Sequence, residues 1–276
     1  MNLILIRALA AFAAISIGSA AFAGENLDRI MKDGVLKVAT DANWAPQSFM
    51  NDSNELDGFD VNVAQELSKR MGVKVEFVTP DWSIITAGHW SGRWDVSVGS
   101  MSPTKDRAKV LTFPAIYYYT PASFAVHKDS KALDKTDLNG KKVGATTNST
   151  FEQYLQGDLV TDAEGAPPFT YDVKPESILS LKDSSAVMDD LRLGDGVRLD
   201  GMLGSLPAIS EAIKNGYPIR VVGTPAFYEP LAIAIDKGDD DLTAKIASII
   251  KEMQADGTLS ALSVKWYGVD YTTVSK

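Results

Sequence analysis

The chain has 276 residues, with 27 Lys and Arg against 36 Asp and Glu, for a formal net charge of −9. Its 45% apolar and 23% charged residues are ordinary globular composition, the length suggests about two domains, and the acidic balance argues against a nucleic-acid surface, which needs clustered Lys and Arg. The absence of Cys excludes disulfides, thiolate nucleophiles, Fe–S clusters and cysteine-bound zinc.

Residues 1–23 read as a secretory signal peptide. Arg7 precedes an apolar run over residues 8–17 broken only by Ser16, and Ala21-Phe22-Ala23 gives a small-residue cleavage pattern before Gly24. The run is shorter than the ~20 residues that cross a bilayer, and no later stretch is apolar enough to do so. A lipid anchor would need a Cys. The expectation is an exported, soluble protein.

Past Gly34, Val35-Leu36-Lys37-Val38-Ala39 predicts a short buried strand. Asp60 is placed to cap a helix in which Val61, Val63, Ala64, Leu67 and Met71 recur near helical spacing, and Gly72 stops it. Residues 73–78 alternate as a strand, residues 83–90 read as a second helix, and Val96-Ser97-Val98 as a third strand. This βαβαβ order calls for right-handed crossovers and a largely parallel sheet.

Residues 117–126, apolar and aromatic, predict an extended crossing segment. The pattern then restarts with a strand over 140–145, a polar run over 146–150 and a helix from Phe151. Residues 157–175, with Pro167-Pro168, read as loop; a helix over 189–193 and strands over 200–203 and 218–222 follow. A second crossing spans 231–235, and helices over 242–253 and 259–266 are split by Asp256-Gly257. Two α/β units, the second inserted into the first, account for this order: one lobe from residues 24–120 plus 236–276, the other from 121–235.

Metal and nucleophile chemistry find little support. His89 and His127 are far apart, there is no G-x-S-x-G elbow or phosphate-binding loop, and Gly194-Asp195-Gly196 reads as a turn. No cofactor or metal is expected. The richer signal follows the third strand: Gly99-Ser100-Met101-Ser102-Pro103-Thr104-Lys105-Asp106-Arg107. Its small residues leave backbone N–H groups accessible, and an arginine fork gives a carboxylate two parallel charge-assisted hydrogen bonds. Open α/β sheets bind ligands beyond the carboxyl ends of their strands, where this loop falls. From spacing alone it reads equally well as a polar turn with Arg107 in a surface ion pair.

These words resemble a known family. Residues 34–41, Leu56-Asp57-Gly58-Phe59-Asp60-Val61, the Ser-Pro-Thr-Lys-Asp-Arg loop, Met253-Gln254-Ala255-Asp256-Gly257-Thr258-Leu259 and Lys265-Trp266-Tyr267-Gly268 are similar to the periplasmic polar-amino-acid-binding proteins of ABC importers. The resemblance runs over essentially the whole chain past residue 23. It implies the two-lobed, type II periplasmic binding protein fold: an α/β protein in which each lobe is a mostly parallel sheet flanked by helices, joined by two hinge crossings. It also implies an amino-acid-like ligand between the lobes, an inner-membrane ABC permease as partner, a monomer, and a periplasmic location.

Carried over by position, the resemblance puts Arg107 on the ligand carboxylate and Gly99, Ser100 and Ser102 on its ammonium and carboxylate. Trp44 stands at an aromatic position after Asp41, Trp82 where a side-chain-facing residue precedes the second helix, and Ser149 and Thr150 where the second lobe completes the carboxylate shell. Asp41 either caps a turn or faces the ligand. Trp90 and Trp94 read as core, Asp95 as a strand start, and one tyrosine of residues 117–119 as reaching the cleft. Two positions depart from the family: Ser205 stands where an Asp usually pairs the ligand ammonium, and Phe151 where a polar residue is common. Either Asp41 or another acid replaces that Asp, or the ligand is an N-substituted or quaternary amine suited to aromatic faces. The alternative activity on this fold is a periplasmic cyclohexadienyl or arogenate dehydratase, with Asp41 or Glu152 as proton donor. A sensory input domain, which continues into a membrane span, is a third class that the sequence does not favour.

Overall fold

The computed structural model describes residues 25–162 and 169–273. The signal-peptide segment lies outside the described residues, as do Pro167 and Pro168. The principal strands are β1 (Val35–Ala39), β2 (Lys74–Val78), β3 (Val96–Met101), β4 (Leu111–Thr112), β5 (Ile116–His127), β6 (Lys142–Thr146), β7 (Ser177–Leu181), β8 (Gly201–Ser205) and β9 (Ile219–Asp236). The helices are α1 (Glu25–Asp33), α2 (Phe59–Met71), α3 (Trp82–Thr86), α4 (Thr150–Gln156), α5 (Ser184–Leu191), α6 (Leu206–Lys214), α7 (Asp240–Ala255) and α8 (Thr258–Tyr267).

The strands form one sheet in the order β7-β6-β8-β5-β9-β3-β1-β2, with β4 added on β9. β1 pairs parallel with β2 and β3, and β6 pairs parallel with β7 and β8, giving a parallel set at each end. Between them β5 and β9 run antiparallel to each other and to their other neighbours. They are the two long strands that cross the molecule.

The core divides along those strands. Leu36 and Val38 of β1, Phe59, Val63 and Leu67 of α2, Val96 and Val98 of β3, and Leu242, Ile246 and Ile250 of α7 pack into one cluster. Each large aliphatic side chain so buried contributes about 1.5–3 kcal/mol. A separate cluster joins Phe124, Val143, Phe151, Tyr154 and Phe227. Along β5 the change falls between Tyr118 and Ala122, and along β9 between Phe227 and Leu231. The molecule is therefore two-lobed.

Local chemistry accounts for most element ends. Gly72 takes a left-handed φ of 76° and closes α2, as its lack of a Cβ allows. Asp60, however, is not the cap. The first N–H groups of α2 reach the loop carbonyls of Pro46 (3.1 Å) and Gln47 (2.8 Å), and the capping residue is Gly58 at φ 130°. A Cβ there would lie 2.3 Å from the Gln47 carbonyl oxygen. Freed from capping, the Asp60 carboxylate turns inward to Tyr117 and Ser100.

The second helix is also shorter than its periodicity suggests. It ends at Thr86 because Gly88, His89, Ser91 and Gly92 all adopt positive φ. Trp90 then enters the core and donates its indole N–H to the Ile85 carbonyl at 2.9 Å. Trp94 is core as well. Four of these elements lack a sequence signal: α1, β4, β7 and α6. α5 begins at Ser184, capped by Asp183, five residues ahead of the expected start.

Candidate functional site

β3 is buried along its whole length and delivers the loop that follows to the boundary between the lobes. Ser100 near its end adopts φ 53°, a left-handed conformation that strains a residue with a Cβ. Its N–H donates to the Tyr117 hydroxyl at 2.9 Å, and its Oγ donates to Asp60 Oδ2 at 2.7 Å. Tyr117 donates in turn to Asp60 Oδ1 at 2.6 Å. The hinge tyrosines 117 and 118 thus sit behind the site, fully buried, and neither lines the cleft. Burial pushes the Asp60 carboxyl up to about 7 against these hydrogen bonds.

Arg107 opens a short 3-10 turn at the end of the loop and is only 4% exposed. It donates to the carbonyls of Ser102 (2.9 Å) and Asn148 (2.8 Å), while its Nε–H has no acceptor among the described residues. Its Cζ lies 5.3 Å from the Trp82 ring centroid, within cation–π range. Burial pulls its pKa down to about 10 and Glu229 acts in the opposite sense, so the guanidinium stays charged at neutral pH. A charge this buried needs an anionic partner to offset its desolvation.

Across the cleft, Ser149 caps α4: its Oγ accepts from Glu152 N at 3.2 Å and donates to the Thr146 carbonyl at 2.6 Å. The next residue, Thr150, donates its hydroxyl to Glu229 Oε1, which also accepts from Ser102 Oγ at 2.8 Å. Burial raises the Glu229 carboxyl, and the two hydroxyls and Arg107 oppose the rise. At the rim, Asp41 accepts from Asn43 N at 2.7 Å. Burial raises its carboxyl as well, and the charges of Asp183 and Asp81 add to the effect.

These groups enclose about 460 Å³ of free space, part of it continuous with solvent. The lining brings together Arg107, Ser100, Ser102, Trp44, Trp82, Ser149, Thr150, Asp41 and Phe151, all singled out by the sequence, and adds Thr146, Ser184 and Glu229. Asp41 both closes its turn and faces the cavity. Two expected residues are absent from the lining. Gly99 lies behind Trp82, 3.8 Å from its ring when a Cβ is added. Ser205 is 1% exposed and accepts from Gln47 Nε2 at 3.1 Å, which ties the two lobes together instead of facing a ligand.

Further contacts join the lobes across the cleft. Lys105 N donates to the Val160 carbonyl at 3.0 Å and Asp162 N to the Pro103 carbonyl at 2.9 Å, around a bridge between Thr104 and Thr161. Ser185 Oγ donates to the Asn43 carbonyl at 2.9 Å. Glu152, one candidate proton donor, is turned away from the cavity: its Oε2 accepts from Asn148 N at 2.6 Å and its Oε1 from Ser180. No described helix is long and apolar enough to cross a membrane.

Comparison with known proteins identifies the family and the fold. The bacterial extracellular solute-binding proteins, family 3, match residues 36–269. The L-cystine-binding protein TcyJ of Escherichia coli is 32% identical over 97% of this chain and 95% of its own length. The L-arginine-binding protein of Pseudomonas aeruginosa is 26% identical over 92% of this chain and 96% of its own. Among solved structures, the ancestral amino acid-binding protein AncCDT-1, a precursor of cyclohexadienyl dehydratase, superposes with a TM-score of 0.75 at 31% identity, covering 88% of this chain and 99% of that one. The chain belongs to the family 3 bacterial extracellular solute-binding proteins.

Proposed function

We propose that this family 3 solute-binding protein is the periplasmic receptor of an ABC importer, and that it binds an amino acid or amino-acid-derived carboxylate between its lobes. The described residues up to 120 and those from Leu231 onward make one lobe and those between them the other, with β5 and β9 as the hinges; the second boundary falls ahead of residue 236 because Leu231, Ile233 and Ile235 pack with β1 and β3. The observation that carries the reading is Arg107: a buried guanidinium facing the cavity, held by two carbonyls and lacking an acceptor at Nε. A ligand carboxylate supplies the anionic acceptor that Glu229, which makes no hydrogen bond to Arg107 in this structure, does not provide, and the planar fork takes it in a bidentate pair. Trp82 lies against the guanidinium and lines the same cavity.

Binding draws the lobes together and shifts an open–closed equilibrium toward the closed form, whose surface the permease recognises. The Gln47–Ser205 and Lys105–Val160 hydrogen bonds join the two lobes in this structure. No bond of the ligand is made or broken. Relatives named as binding proteins support this role over the dehydratase. Incubation with prephenate and arogenate tests the choice: the receptor reading expects no turnover, and steady formation of an aromatic product contradicts it. A thermal-shift screen over free amino acids and their N-substituted derivatives identifies the ligand class, since a ligand that binds only the native state raises the melting temperature.

A further inference from the structure

We infer that Glu229 is the anion that pairs the ligand's protonated amine, in place of the carboxylate missing at Ser205, and that the ligand is a compact α-zwitterion with N–H groups on its nitrogen. This rests on the receptor reading above and deepens it. Glu229 sits in β9 opposite Thr120 of β5. It is 3% exposed and lines the cavity. Its Oε1 takes the hydroxyl hydrogens of Ser102 from one lobe and Thr150 from the other. Its Oε2 receives no hydrogen bond among the described residues.

Two consequences follow from the donor inventory. A serine or threonine hydroxyl has one hydrogen. Once Ser102 and Thr150 have donated theirs to Glu229, they present only lone pairs to the cavity. Together with the free Oε2 they line the cavity with acceptors, which suits an N–H-bearing cation and repels a carboxylate. Meanwhile Arg107 keeps N–H groups without acceptors in the same cavity. The site thus holds one buried cation and one buried anion, each with unmet hydrogen-bonding capacity, side by side. An α-amino acid carries the complementary pair of charges on adjacent atoms.

The rival acids fit less well. Ser205 is neutral and engaged with Gln47. Asp41 lies at the rim, near Asp81 and Asp183, and its Oδ1 is taken by Asn43. A quaternary ammonium has no N–H to give the acceptors, so the arrangement discriminates against it.

The test is calorimetric titration of the wild type and Glu229→Gln, a substitution of nearly equal shape without the charge. The proteinogenic amino acids and L-cystine are screened first, and the strongest binder is then compared with its Nα-acetyl and Nα-trimethyl derivatives. The wild type is expected to bind the free amino acid far more tightly than either derivative. Glu229→Gln should weaken the free amino acid on the order of 10- to 100-fold, the worth of a charge-assisted hydrogen bond, and leave the derivatives' binding unchanged. Equal affinity of variant and wild type for the free amino acid overturns the inference, and so does an equal loss for all three compounds, which marks a role in lobe closure only. If the variant fails to fold, the wild type alone decides: trimethyl binding as tight as that of the free amine overturns the assignment. Wild type that binds none of the panel overturns the receptor reading itself.

Discussion

Asp60→Asn should remove the pH dependence that one buried carboxyl imposes on this fold. Asp60 is fully buried in the first turn of α2 and accepts from Tyr117 and Ser100. Desolvation outweighs those bonds and moves its carboxyl from 3.8 to about 7. In the unfolded chain the group ionises near 3.8, so between that pH and 7 the folded state binds more protons. Stability from this group is complete below the unfolded value and is lost as pH rises through about 7. A shift of roughly three units is worth about 4 kcal/mol in total. Urea unfolding of both proteins from pH 4 to 8, taken as the stability difference at each pH, isolates the term because all other carboxyls cancel. The wild type should lose about 4 kcal/mol relative to Asp60→Asn across the interval. A flat difference, or one that favours the wild type as pH rises, refutes the argument.

Three further outcomes follow from the structure. Trp82→Ala removes the ring over Arg107 and should weaken the bound amino acid by several-fold, about 0.5–2 kcal/mol, with little change in melting temperature; Trp44, half-buried in the cavity wall, should report binding through a change in intrinsic fluorescence, and no change with either tryptophan alone present contradicts its placement. Gly58→Ala forces a Cβ to within 2.3 Å of the Gln47 carbonyl oxygen and should cost more than about 2 kcal/mol by chemical denaturation, whereas a loss below ~0.5 kcal/mol shows that the turn yields.

The parts of the fold written in short-range patterns were legible. The helical spacing of Val63, Ala64 and Leu67, the Gly72 stop, and the Asp256-Gly257 break each depend on neighbours in the chain, and each stands where the pattern puts it. β9 was read as two pieces because Gly223, Pro225 and Pro230 are turn residues. The structure keeps one strand by shifting register between Val222 and Phe227, which takes up Gly223 and Pro225, while Pro230 stays in register opposite Tyr119. β7 carries no alternation and pairs on one edge only.

The site was legible where its residues cluster in the loop after β3. Glu229 escaped notice because an acid between Tyr228 and Pro230 reads as solvent-facing. Its orientation shows in the structure, where Phe227, Glu229 and Leu231 are buried and Tyr228 is exposed, a period-two alternation that turns Glu229 inward. Ser205 was placed by position in a family pattern, which fixes a Cα but not what Gln47, far away in sequence, takes from the side chain.

Calorimetric titration of Arg107→Ala beside the wild type, with Arg107→Lys as the charge-keeping control, tests the receptor reading most directly. The wild type should bind at least one amino acid with a stoichiometry of about one, as one cavity between two lobes requires. A folded Arg107→Ala should lose about 2–5 kcal/mol of that binding, and Arg107→Lys should recover little of it because an ammonium cannot form the bidentate pair. Tight amino-acid binding by a folded Arg107→Ala would contradict the account.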